Sequence, residues 1–177
     1  PKRPSLTAIA VACDRKRSDE CLLRLLQSEI QAGNRRLEDG LTHNTLLQHL
    51  IRCGFLKSAE YLLKEGVITD VNKVNARGDT AMYTAICSSP NGSDQIKAVS
   101  MLIRHGVHIN AAIARWGVTA LHATAATFNI HLMPLLLAVD GIVVDPRDPW
   151  SEETPLHAVM RNTATIPSMV AQMANNL

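Results

Sequence analysis

One phrase returns along this chain at a near-constant interval, and it constrains the fold more than any other feature. Residues 78–86 read Gly-Asp-Thr-Ala-Met-Tyr-Thr-Ala-Ile, 117–125 read Gly-Val-Thr-Ala-Leu-His-Ala-Thr-Ala, and 152–160 read Glu-Glu-Thr-Pro-Leu-His-Ala-Val-Met. A weaker copy spans 43–51, and a degenerate first copy stands at Leu6-Thr7-Ala8-Ile9-Ala10. Aligned on the threonine, the copies start at Thr7, Thr45, Thr80, Thr119 and Thr154, spaced 38, 35, 39 and 35 residues apart. Self-similarity at such a period marks stacked supersecondary units, none of which can bury its apolar face alone.

A second phrase follows each copy. It is Leu62-Leu63-Lys64-Glu65-Gly66, then Leu102-Ile103-Arg104-His105-Gly106, then Leu136-Leu137 with Gly141 close behind. In the first copy Leu25-Leu26 holds that place, and this repeat is read as lacking the terminal glycine. Together the two phrases predict a helix, a short link, a second helix and a stop. The threonine caps the first helix by accepting from free backbone N–H groups. Pro155 sits where proline is tolerated, at the first helical position. The glycine ends the second helix in a left-handed conformation. An extended stretch such as Val67–Asn75 or Val107–Ala114 then crosses to the next unit.

The pattern resembles the ankyrin repeat, whose phrases are Gly-x-Thr-Pro-Leu-His and Leu-Leu-x-x-Gly. Residues 117–122 and 152–157 carry it most closely, and the resemblance covers about Ser5 to Leu177. The period is close to the family's, about 33 residues. The departures are Leu46-Leu47-Gln48 in repeat two, Tyr83 for histidine in repeat three and Ala120 for proline in repeat four. They describe a natural, diverged array. The resemblance implies an all-α solenoid of antiparallel helix pairs linked by hairpin-like loops. It forms one domain over 1–177, with repeats near 5–39, 40–74, 75–113, 114–148 and 149–177.

Composition agrees with packed helices. Hydrophobic residues are 46% and aromatics only 3%, so the core is built from Leu, Ile, Val, Met and Ala. A net charge of +2 is too small to argue for nucleic acid. Its basic clusters, Arg15-Lys16-Arg17 and Arg35-Arg36, read as solvated segments. No apolar run has the length of a membrane span. The four cysteines, Cys13, Cys21, Cys53 and Cys87, form no CxxC pair, which suits free thiols in a reducing, intracellular compartment, cytoplasm or nucleus. The chain opens on proline rather than methionine, so part of a longer protein is expected.

Two irregularities fall outside the period. Ser88 to Ser93, rich in turn residues, is expected to protrude as a loop inside repeat three. The Asp145-Pro146-Arg147-Asp148-Pro149 stretch stiffens the approach to repeat five. Ile166, Met169, Val170 and Met173 read as the apolar face of a last helix, an end face through which an otherwise monomeric chain could dimerise.

No nucleophile motif, phosphate loop or metal-ligand spacing appears, so no catalytic, cofactor-binding or metal-binding residue is assigned. His122 and His157 take, by resemblance, the family's structural role of hydrogen bonding within and between repeats. Asn72 and Asn110 follow repeat-ending glycines, where members of the family are sometimes hydroxylated. The resemblance places partner contacts just before each threonine and at the end of each first helix. Those positions are Asn44 and Arg52, then Arg77 and Asp79, then Arg115, Trp116 and Val118, then Trp150, Glu153 and Arg161. Cys53, Cys87, Ser88, Thr127, Ser151 and Asn162 stand beside them.

Both tryptophans of the chain lie at these tips, and Trp and Arg are enriched in interface hot spots. An exposed Trp116–Trp150 pair flanked by Arg77, Arg115 and Arg161 would suit an acidic or amphipathic peptide. Alternatively, each ring folds onto the neighbouring hairpin as a staple. The expected function is therefore a protein-interaction module binding a partner protein, with no nucleic acid and no membrane. The other readings are a segment regulating a catalytic domain elsewhere in a longer chain, and a dedicated chaperone for one client.

Overall fold

A computed structural model describes residues 5–12, 18–35, 44–88, 92–112, 117–127, 129 and 131–163, with Val11, Ala12, Ser88 and 161–163 described by backbone alone. All regular structure among them is helical. The chain divides into two compact units, Pro1–Val107 and His108–Leu177.

The first unit holds three helix pairs. They are α1 (Leu6–Ala12) with α2 (Asp19–Gln31), α3 (Leu46–Cys53) with α4 (Leu56–Lys64), and α5 (Ala81–Ser88) with α6 (Gly92–Arg104). The first helices stack in order, α1 on α3 and α3 on α5, and the second helices α2, α4 and α6 do the same. Leu22, Leu26, Leu50, Ile51, Leu62, Ile86 and Leu102 are each essentially inaccessible and form the core between the layers. In the second unit α7 (Ala120–Ala126) pairs with α8 (Met133–Leu137) and carries α9 (Pro155–Thr163) against it. The facing residues are small. Ala125, Ala158 and Val159 form one buried cluster, with Met133 packed on it.

The threonine caps form as expected in repeat two, where Gln48 N–H donates to Thr45 Oγ1 at 3.3 Å, and in repeat three, where Tyr83 N–H donates to Thr80 Oγ1 at 3.2 Å. The repeat-ending glycines Gly66, Gly106 and Gly141 have φ of 64°, 77° and 77°.

Three expectations need correction. Thr7 is no cap: it lies inside α1, and Ser5 caps instead, its Oγ accepting from Ala8 N–H at 3.1 Å. Ser5 precedes Leu6 just as the other caps precede their helices, so the local hydrogen bond, rather than residue type, sets the register. Repeat one also has its glycine. Helix α2 runs on to Gln31, and Gly33 follows at φ 80°. The longer helix displaced the stop from where the spacing placed it. Finally, Gly92 and Ser93 are not loop but the start of α6, which has 13 residues against 9 in α4. The extra residues there lengthen a helix, and residues 89–91 of the insertion lie outside the described residues, as do Cys13, Arg15 to Arg17, Arg36 and the last apolar segment from Ile166 to Met173.

Candidate partner-binding surface

In repeats three and five the hairpin tip is a turn held by one buried side chain. In repeat three that side chain is Asn75. Its Oδ1 accepts from Arg77 N–H at 2.8 Å and from Asp79 N–H at 2.9 Å, and its Nδ2 donates to Asn44 Oδ1 at 3.2 Å and Asp79 Oδ2 at 3.3 Å. The turn closes with Asn75 N–H donating to Asp79 O at 3.0 Å. Short polar side chains fold back on their own backbone in this way, which is why they dominate turns.

In repeat five the organiser is Asp148. Its Oδ1 accepts from Trp150 N–H at 2.9 Å and Ser151 N–H at 2.8 Å, and its Oδ2 accepts from Ser151 Oγ. The Ser151 hydroxyl, then the backbone donors, hold the Asp148 carboxyl at a pKa of about 2, below the usual 3.8. The turn closes through Asp148 N–H to Glu153 O at 3.0 Å. Pro149 lies directly over Gly117, whose φ is 66° and where any Cβ would collide with the proline ring.

The tips are joined to the helices by a relay. Thr119 N–H donates to His122 Nδ1 at 3.2 Å, and His122 Nε2 reaches Glu153 O in the next repeat at 3.0 Å. His122 is buried. With the Thr119 N–H donating to it, Nδ1 is the acceptor and Nε2 the donor, so the two hydrogen bonds select one tautomer. Gln48 makes the same two bonds: its Oε1 accepts from Thr45 N–H at 3.0 Å and its Nε2 donates to Asp79 O at 2.7 Å. The structural role implied for His122 is what the structure shows, and glutamine reproduces it in repeat two. His157 holds Thr154 Oγ1 at 2.8 Å but is exposed.

The structure places most of the proposed contact residues. Arg52 and Arg77 are exposed in the first unit. Asn44 and Asp79 are half-buried and tied to Asn75, so they brace the tip as well as line it. Val118 and Glu153 are half-buried, and Glu153 contributes its carbonyl to His122. Trp150 is 80% exposed. Arg115 and Trp116 lie outside the described residues, and Arg161 is a backbone position on α9. The Trp116–Trp150 pair is therefore not described.

Asn75, Asp148 and Glu152 escaped the sequence reading because a turn residue's partner is its own backbone, which leaves no spacing to detect. Leu156 and Met160 are a further case. They are 48% and 58% exposed, whereas their counterparts Leu121 and Ala125 in repeat four are 2% and 0%.

The cysteines Cys21, Cys53 and Cys87 are free thiols. Cys87 keeps exposed surface, yet desolvation raises its pKa above the usual 9.0 against an opposing hydrogen bond from Tyr83. That favours a protonated, unreactive thiol. Among the described residues no three His, Cys, Asp or Glu side chains gather to hold a metal ion. None of the described helices is long and apolar enough to cross a membrane. Compared with known proteins, residues 8–113, more than half of the chain, match the family model for ankyrin repeats in three copies. No curated protein matches the chain.

Proposed function

We propose that this chain, which belongs to the ankyrin-repeat family, holds a partner protein or peptide on its hairpin tips and first helices and does no chemistry of its own. Ankyrin repeats are in general protein-interaction modules, and the finer reading concerns where and how this one binds. The observation that carries it is Trp150, a large apolar side chain left 80% exposed on a tip whose backbone is pinned by Asp148. Exposed aromatic surface on a rigid support lowers the ordering cost of association, and tryptophan is the residue most enriched among hot spots. In the first unit, exposed Arg52 and Arg77 offer cations to the polar side of an amphipathic partner. The free thiols fit an intracellular site of action, in cytoplasm or nucleus.

The test is capture from native extract with wild-type protein and Trp150→Ala. A side chain so exposed contributes little to stability, so the variant should melt within about 1 °C of wild type, the small effect usual for surface substitutions. It should lose the captured partner. A variant that melts well below wild type while retaining every partner would make Trp150 a structural staple and overturn the reading.

A further inference from the structure

At the tip of repeat five a carboxylate stands where repeats three and four have glycine. The position two before the capping threonine is Gly78 in repeat three, Gly117 in repeat four and Glu152 in repeat five. All three have positive φ, at 83°, 66° and 54°, and Glu152 is the one non-glycine among the described residues to do so. Glycine adopts this conformation without penalty, whereas a residue with a Cβ is strained in it. The Glu152 backbone is committed, its N–H donating to Asp148 O at 3.0 Å and its carbonyl accepting from Arg147 Nη1 at 3.3 Å. Its carboxylate is exposed and has no partner among the described residues. Two residues before it stands the exposed indole of Trp150.

We propose that Trp150 and Glu152 together receive an arginine side chain of the partner, its guanidinium stacked on the indole face and ion-paired with the Glu152 carboxylate. This rests on the reading that the tips bind a protein, and it names what that protein must present. An indole face attracts cations. Arginine suits it better than lysine, because a planar, weakly hydrated guanidinium stacks while keeping its in-plane donors for a carboxylate. Charge complementarity points the same way. From 141 to 160 the chain carries Asp145, Asp148, Glu152 and Glu153 against Arg147 alone. Arg147 is already turned onto the Glu152 carbonyl. The Asp148 carboxylate is consumed by Ser151 and the turn, and of the anions that remain Glu152 stands nearest Trp150 along the chain. The Asp148 turn and the seating of Pro149 on Gly117 hold both side chains on a fixed support.

The experiment uses the full chain carrying Trp116→Phe, which leaves Trp150 as the one tryptophan. Its emission is followed during titration with synthetic twelve-residue peptides of one Gly/Ser/Leu frame bearing two Arg, two Lys or two Glu. The Arg peptide should quench or shift the emission saturably and bind about threefold tighter than the Lys peptide, with no binding of the Glu peptide. Glu152→Gln should weaken the Arg peptide by about threefold and flatten its salt dependence, as loss of one exposed ion pair requires. Glu152→Gly should bind as poorly while melting higher than wild type, which separates lost recognition from lost folding. A Glu peptide that binds as well as the Arg peptide, no binding by any peptide, or Glu152→Gln without effect would each overturn the arginine assignment. If Trp150→Ala still strips the partner from native extract in those cases, docking at the tip stands and only its chemistry falls.

Discussion

Gln48 and His122 perform one task with different functional groups. Each accepts from the backbone N–H of the capping threonine and donates to a carbonyl in the next repeat. What the position requires is an acceptor and a donor at opposite ends of a short planar group, not an imidazole. His122→Gln should therefore melt close to wild type. His122→Leu leaves the Thr119 N–H without its partner in a buried setting and takes from the Glu153 carbonyl one of its two donors, the other being Asp148 N–H, which costs about 1–3 kcal/mol, measurable by thermal or denaturant unfolding. Equal losses in both variants would show that the ring's packing matters rather than its hydrogen bonds. The histidine role was legible because the Thr-x-Leu-His phrase is short-range and repeated. The glutamine equivalent was not, since its significance lies in a carbonyl 31 residues away.

At the scale of elements, a helix end can be secured across repeats as well as within one. Helix α4 has no cap of its own, for Phe55 at its N-cap offers no acceptor. Asp19, at the start of α2, supplies it. Asp19 Oδ2 accepts from Lys57 N–H at 2.7 Å, and Oδ1 accepts from Ser58 N–H at 3.1 Å and Ser58 Oγ at 2.6 Å. One carboxylate thus serves as a remote N-cap and docks α2 on α4. Asp19→Ala should cost about 1–2 kcal/mol, the upper range for a lost cap, and should raise hydrogen exchange at the start of α4 before the rest of the unit. Unchanged exchange there would refute the capping role. Surface ion pairs between the same layers, such as Arg104–Glu60 at 3.2 Å, are more than half exposed on the cation side and add little. Lys64, then Arg104, lower the Glu60 pKa, so that small contribution is present at neutral pH and is lost as acid protonates the carboxylate.

At the scale of the molecule, each unit is stable only as a stack. Helices of 5 to 13 residues are too short to persist alone, and α3 packs on α1, α4 and α5 together. Leu50 is fully buried on α3. Leu50→Ala should destabilise the first unit by about 2–5 kcal/mol, the usual cost of a large core cavity. Protection from hydrogen exchange should fall in α1, α4 and α5 at once. Loss confined to α3 would mean that the repeats do not share a core.

The family, the helix pairs and the positions of most caps and stops follow from the sequence alone. They depend on residue type at short, repeated spacings, and such local rules can be read along a chain. The same rules failed at Thr7, Gly33 and Gly92, where Ser5 caps α1 in place of Thr7 and where α2 and α6 run longer than the spacing implied. Which tip side chains brace and which stay open was also decided by the fold. Asn75 and Asp148 face inward to their own turns while Trp150 and Glu152 face water, because each turn's backbone donors claim the side chain that can reach them and leave the next residues exposed.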